Sequence, residues 1–190
     1  TDKDIDLGLI TRTDMFDPAI ADAAFKLEKD KVSTPIKGRF STVLLLATAE
    51  LKEELLAYPV SEEIEVQWIT DPAHFVPVHS IDACIDLLFE NTSERIAWLK
   101  NLRAALIIIN SVVIPLNQVN EDFVRINGWN TFLKRPVVEA SIINTSLQPQ
   151  AEQILSRLGR TIEWTPDIAG FITPRVVASI INEAFFALEE

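Results

Sequence analysis

Three short stretches carry residue types and spacings that could bind a small molecule. The first is the turn Ala47-Thr48-Ala49-Glu50-Leu51, which follows the apolar run 42–46 and opens a helical stretch from Ala49 to Tyr58. A strand, a tight turn and a helix in that order can hold a pyrophosphate, provided that glycines let the anion approach bare backbone. No glycine stands here, and Glu50 places negative charge where the pyrophosphate would sit, which argues against tight dinucleotide binding in the usual mode. The second is Asp71, just past the run Ile64 to Ile69, at a spacing from Thr48 that suits a carboxylate holding a ribose. Asp71-Pro72 also reads simply as the opening of a turn. The third is His74 and His79, the only histidines. They lie in a proline-containing stretch without other ligand types nearby, so they read as loop residues and no metal site is expected.

The elements that must position these residues follow from periodicity. Runs at 42–46 and 105–109 are apolar in the manner of central parallel strands, and Ile64 to Ile69 reads as the second strand. Helices are expected over Ala49–Tyr58, with Leu51, Leu55 and Leu56 inward, and over Glu94–Arg103 on Ile96, Leu99 and Leu102. A third runs from Gln150 to Leu158 and is capped by Gly159. Thr161 to Trp164 reads as a further strand. From Pro174 onward, Val176, Val177, Ile180, Ile181, Ala184, Phe185 and Leu188 recur at helical spacing. That last helix follows Gly170 and carries an apolar face with no later segment to cover it, so self-association through Ile180, Ile181 and Phe185 is expected.

Composition narrows the class. The chain has 190 residues, 48% of them hydrophobic, which suits one domain plus an appendage. A net charge of −11 argues against binding nucleic acid or an anionic membrane surface, since phosphates call for basic patches. The single cysteine, Cys84, excludes an intramolecular disulfide and suits a reducing compartment. No apolar run approaches the length of a membrane span and no signal segment opens the chain. Thr1 is not a usual start, so residues upstream are expected.

The stretch Asp167-Ile-Ala-Gly170-Phe-Ile-Thr-Pro174-Arg175, continued by Asn182-Glu183-Ala184 and Leu188-Glu189-Glu190, resembles the start of the helical domain of the 3-hydroxyacyl-CoA dehydrogenases. The resemblance runs back to about Ser41. It implies an α/β fold: a Rossmann-like, mainly parallel sheet over 41–169, followed by the truncated start of a C-terminal helical domain over 170–190. Asp82-Ala-Cys84-Ile-Asp86-Leu-Leu-Phe-Glu90-Asn91 matches a strand of that family and the loop after it. Cys84 is then a buried, inert thiol, and Asp71 and Glu90 are the candidate cofactor-binding residues. The implied ligands are NAD and a 3-hydroxyacyl-CoA, and the implied setting is fatty-acyl-CoA metabolism in the cytoplasm.

Phe123 to Glu139 resembles the family's catalytic segment without a gap. The reaction there removes a hydroxyl proton with a histidine that a buried carboxylate orients. Here the carboxylate position is Glu139 and the histidine position is Asn127, so these two are the candidate catalytic pair. An amide can donate a hydrogen bond but cannot take the proton, and loss of a general base costs about 10²–10⁴-fold in rate. Asn110, Ser111 and Asn130 are the candidate substrate contacts. Val112 stands where the family has a substrate-contacting hydroxyl, and Pro174 stands where it has an asparagine. The glycine turn, the base, the hydroxyl and the late asparagine thus depart together. The pattern describes a scaffold whose reaction is impaired or lost, or a non-catalytic module that binds an acyl-CoA or a protein. Trp129 and Phe132 are expected to pack rather than to serve as a stacking platform.

Residues 1–40 read differently. Strands are expected over 7–10 and 32–36, with a helix from Pro18 to about Lys29 between them. The words around Leu7-Gly8-Leu9, Met15-Phe-Asp-Pro18 and Val32-Ser-Thr-Pro35 resemble the second half of parvulin-type peptidyl-prolyl isomerases. Met15 matches a methionine of that family's proline pocket. The family's last-strand histidine falls near Thr42, and its first half is absent. A small α+β appendage is expected, with remnant isomerase activity as a further alternative, and the meeting of two signatures near Phe40 suggests a chimera.

Overall fold

The computed structural model describes residues 18–28, 31, 41–75 and 81–189. The chain divides into two compact units, 1–41 and 42–190. In the first unit, α1 (Pro18–Ala24) begins at its proline, which the first helical turn tolerates, and stops short of Lys29. The strands expected over 7–10 and 32–36, Met15 and most of the isomerase-like words lie outside the described residues.

The second unit is built on a seven-stranded sheet. Its elements in chain order are β1 (Ser41–Leu46), α2 (Ala49–Leu55), β2 (Ile64–Ile69), β3 (Ala83–Asp86), α3 (Ser93–Asn101), β4 (Leu106–Asn110), β5 (Val124–Ile126), β6 (Val137–Ile142), α4 (Gln148–Arg157), β7 (Thr161–Trp164) and α5 (Thr173–Glu189). The spatial order is β2-β1-β3-β4-β5-β6-β7. Strand β1 pairs in parallel with β3, β3 with β4 and β4 with β5; β6 then runs antiparallel to β5 and parallel to β7. This is a Rossmann-like α/β architecture. The strand order turns at β1, and such sheets place ligands beyond the carboxyl ends of the strands beside that point.

Because successive side chains in a strand face opposite ways, each central strand feeds two cores. Val43, Leu45, Ala83, Ile85, Leu106 and Ile108 face α2 and α4, where Leu55, Ile154 and Leu155 are fully or almost fully buried. Leu44, Leu46, Cys84, Ile107 and Ile109 face the other way and pack with Leu99 of α3. Burial pushes the Cys84 thiol well above its ordinary range, so it stays a protonated packing group.

Helix α2 ends at Leu55, short of the expected Tyr58. The residue before a proline is pushed out of helical geometry, and Pro59 follows Tyr58. The buried Arg160 guanidinium donates to the carbonyls of Glu54 and Leu55 and lies 4.2 Å from the Tyr58 ring centre. A cation there meets the negative end of the helix dipole. Gly159 makes this approach possible: its φ is +72°, and a Cβ there would lie 2.7 Å from Tyr58 Cβ.

A second buried arginine fixes the far side of the sheet. Arg125 alternates with Val124 and Ile126, so it turns away from the α2 and α4 core. It donates to the carbonyls of Ser111, Val112 and Ile168, pairs with Asp167 at 3.0 Å and lies 4.2 Å from the Phe171 ring. Burial lowers the guanidinium pKa, and Asp167 opposes that shift. Asp167 also accepts the Leu116 amide at 2.8 Å. Gly170 and the buried Phe171 both have positive φ, 82° and 46°, at the bend that leads into α5. Removing one partner of a buried pair strands the other. Asp167→Ala is therefore expected to lower unfolding free energy by about 3 kcal/mol in urea melts, whereas Asp167→Asn, which keeps an acceptor for Leu116, is expected to lose less. Equal losses in the two variants would show that the charge on Asp167 is immaterial.

Candidate functional site

Asn127 and Glu139 meet. Asn127 follows β5 and Glu139 lies in β6, and their antiparallel ladder continues through the Asn127 amide to the Glu139 carbonyl at 2.9 Å. Side chains at both positions point to the face opposite the α2 and α4 core. Asn127 Nδ2 donates to Glu139 Oε2 at 2.8 Å, and Asn127 Oδ1 accepts the Trp129 amide at 3.3 Å. The other carboxylate oxygen, Oε1, accepts both the backbone amide and the hydroxyl of Thr173, at 2.9 and 2.7 Å. Thr173 is the first residue of α5. Glu139 thus caps that helix from the sheet, where negative charge is favoured.

The cluster lines a recess of about 200 Å³ with Phe132, Arg135, Val137, Val138 and Glu163. Its outer wall is a short 3-10 turn, Phe132–Lys134. Thr131 before it takes a left-handed φ of 73°, uncommon for a residue with a side chain. The buried Glu54 carboxylate of α2 holds the Thr131 amide with both oxygens, at 3.0 and 3.2 Å. Trp129 and Phe132 stack on each other with centroids 5.6 Å apart, and the Arg135 guanidinium lies 4.6 Å from the Phe132 ring.

Asn110 sits at the carboxyl end of β4 and ties neighbouring strand ends together. It donates to the carbonyls of Leu87 and Gly128 and accepts the Gly128 amide at 3.0 Å. A Cβ on Gly128 would lie 2.7 Å from Asn110 Cγ, so the glycine is required by that contact. Ser111 is buried and donates to the Ile114 carbonyl at 2.8 Å. Asn130 is exposed in the turn beyond Trp129. Of the candidate substrate contacts, Asn110 therefore lies beside Asn127 through Gly128, while Ser111 and Asn130 point to local structure and to solvent.

Asp71 and Glu90 converge on a different cleft, of about 610 Å³, beyond the carboxyl ends of β2 and β3. Thr70 to Ala73 form one wall; Leu88, Glu90, Thr92, Glu94, Arg95 and Trp98 form the other. Asp71 Oδ1 accepts the Ala73 amide at 2.8 Å and starts the 3-10 turn Pro72–His74, so the turn-opening role is met. Arg95 is spent on the buried Asp86. Its Nε and Nη2 reach the two Asp86 oxygens at 2.7 and 3.0 Å, and Nη2 also reaches the Leu88 carbonyl. Burial raises the Asp86 carboxyl above its ordinary range, and Arg95 opposes the shift.

The turn between β1 and α2 tests whether a dinucleotide fits. Thr48 caps α2 with its own hydroxyl oxygen, which accepts the Leu51 amide at 3.3 Å. Glu50 lies in the first turn, and hydrogen bonds from its own amide and from Thr48 hold its carboxyl below the usual range. Trp68 donates its indole N–H to the Ala47 carbonyl at 2.9 Å, and Lys52 lies over that ring at 4.0 Å. The turn is self-satisfied and anionic, and its residues do not fit a pyrophosphate. Among the described residues, no group of three or more His, Cys, Asp or Glu gathers as a metal site, and no helix is long and apolar enough to cross a membrane.

The fold is Rossmann-like α/β, a class that solved dehydrogenase structures share. No family model and no curated protein sequence matches the chain. Among solved structures it is similar to a 3-hydroxyacyl-CoA dehydrogenase from Archaeoglobus fulgidus, at 15% identity and TM-score 0.55 over 78% of this chain and 64% of that one. It is similar to (S)-3-hydroxybutyryl-CoA dehydrogenase from Ralstonia eutropha, at 15% identity and TM-score 0.55 over 80% of this chain and 71% of that one. It also resembles 3-hydroxybutyryl-CoA dehydrogenase from Escherichia coli K12, at 16% identity and TM-score 0.58, covering 78% of this chain and 43% of that one. Identities this low establish the shared fold, and the chain spans less than two thirds of the first of these structures.

Sequence reasoning passed over Glu54, Arg125, Asp167 and Thr173. For Arg125 the signal was a charge set between apolar neighbours, Val124 and Ile126. Glu139→Ala removes the acceptor for three donors, each worth about 1 kcal/mol. It is expected to speed amide exchange through the first two turns of α5 at least tenfold while leaving β1, β3 and β4 protected. Thr173→Val, which keeps the amide and loses the hydroxyl, is expected to give a smaller effect at the same amides. Unchanged exchange in α5 would show that Glu139 does not anchor it.

Proposed function

We propose that this chain is a 3-hydroxyacyl-CoA dehydrogenase-like protein whose reaction is impaired or lost, and that it serves as a binding module for the acyl end of an acyl-CoA. The observation that carries this reading is the state of Asn127. Its amide is held at both ends, by Glu139 and by Trp129, and an amide cannot accept a substrate proton at neutral pH. Glu139 is likewise engaged by Asn127 and Thr173 rather than poised beside a titratable partner. The recess around them keeps an apolar floor of Phe132, Val137 and Val138, with Arg135 at its edge, which suits an acyl thioester.

The test is NADH-dependent reduction of acetoacetyl-CoA, followed alongside calorimetric titration with acetoacetyl-CoA alone. Binding without turnover above the solution background is expected. Turnover at about 1 s⁻¹ or faster, ordinary for an enzyme, would overturn the reading. Asn127→His supplies a group that can take a proton beside Glu139, and any residual reduction is expected to rise by 10-fold or more, within the range of about 10²–10⁴ that a general base contributes. No change, in a chain shown to bind NADH, would count against the assignment of this position.

The partner proposed for α5 is a second copy of this chain. Ile180, Ile181 and Phe185 are 63%, 50% and 64% exposed, on a helix whose start is fixed by Glu139 and Phe171. Light scattering after gel filtration is expected to give a dimer mass, and Ile181→Glu with Phe185→Glu a monomer. A monomeric parent chain would sink this part of the proposal.

A further inference from the structure

The large cleft is built for a different ligand from the one its place in the fold suggests. A dinucleotide brings a pyrophosphate, and a site for one needs cationic side chains or bare amides at a helix start. Here the first turn of α2 is capped by Thr48 and carries Glu50. Arg95 is the arginine of the cleft wall, and its Nε and Nη2 are directed at Asp86 and Leu88, so its charge is paired with the buried Asp86 carboxylate. Among the described residues, the other charged ones lining the cleft are Asp71, Glu90 and Glu94, all acidic. A ligand phosphate within a Debye length of three carboxylates is repelled, and the protein's overall charge of −11 adds to that field.

The same walls suit an uncharged, flat, hydroxyl-bearing ligand. Trp98 is half-buried and held in an edge-to-face contact with Phe75, at 6.4 Å and 79°. Arg95, locked by Asp86, lies 5.5 Å from the same ring. Trp98 therefore offers a fixed aromatic wall to a planar ring. Carboxylates are acceptors only, and a sugar diol is a pair of donors that can meet them. The volume of about 610 Å³ lies within the ordinary range for small-molecule sites.

We propose that this cleft binds an uncharged nucleoside, with its base against Trp98 and its ribose hydroxyls donating to the Asp71 and Glu90 carboxylates, and that it excludes phosphorylated forms and dinucleotides. This deepens the reading of the chain as a binding module, but it concerns the cleft and not the Asn127 recess. The disagreement with the fold's usual ligand is the substance of the inference: the base and sugar side of the crevice is present, and the phosphate side is closed.

Isothermal titration of the full chain with adenosine, AMP, ADP and NADH tests it. Adenosine is expected to bind, with at least tenfold weaker binding of AMP and none detectable for ADP or NADH. Raising the salt concentration is expected to recover part of the AMP affinity and to leave adenosine unchanged, because it screens repulsion only. Trp98→Ala is expected to abolish adenosine binding and Trp98→Phe to retain it. Glu90→Gln with Glu94→Gln is expected to narrow the gap between adenosine and AMP. ADP or NADH binding as tightly as adenosine would overturn the exclusion while leaving the cleft a ligand site. No adenosine binding up to 10 mM, with the chain shown folded by circular dichroism, would overturn the cleft assignment itself. Neither result bears on the binding of acetoacetyl-CoA alone, which reports on the recess.

Discussion

The carboxylate of Glu139 is the point through which the sheet, the recess and the last helix depend on one another. One oxygen takes the Asn127 amide and the other takes two donors from Thr173. Three hydrogen bonds to one charged group are strong because the charge raises the worth of each. They also fix geometry. Asn127 continues the β5 to β6 ladder, so its side chain cannot move without the strand end, and Thr173 begins α5. The orientation of a 17-residue helix is therefore set by the same atoms that line the recess.

The other buried charges follow a related logic. Burying an ion is costly unless its partners satisfy it. Arg125 meets Asp167 and three carbonyls. Arg160 meets the end of α2 and the carbonyl of Arg135, and Glu54 meets Thr131. Together they hold segments that have no ladder of their own: the loop after β4, the turn before β6, the bend into α5. The apolar cores account for the sheet and its helices. The charged groups account for where the irregular segments lie on it, and those segments form the recess.

How much of this was legible in the sequence depended on which force set each part. The strands at 42–46 and 105–109 were legible because they are largely buried on both faces, and burial leaves a nearly unbroken apolar run, whereas 64–69 was legible from its alternation, Glu65 and Gln67 standing between Ile64, Val66 and Trp68. Strands β5 and β6 were not singled out. Val124-Arg125-Ile126 and Val138-Glu139-Ala140 alternate apolar with charged residues, and alternation alone does not say that the charged face is covered too. The pairing of Asn127 with Glu139 followed from the resemblance and not from spacing, since twelve positions separate them. Thr173 was invisible because its partner is 34 positions away and its residue type is an ordinary helix start. The second of the two units was legible as a fold; the residues over 32–40 lie outside the described ones.

The departures at the site are physically consistent with one another. A base beside Glu139 would be worth keeping only if a cofactor reached the carboxyl edge of β1, and the turn there is closed by Thr48, Glu50 and Trp68. A side chain at position 127 meets a carboxylate already holding two donors from Thr173. The Asn127 amide donates to Glu139 without itself titrating. Through Glu139, Asn127 is thus tied to the start of α5, and the recess and the last helix share one anchor.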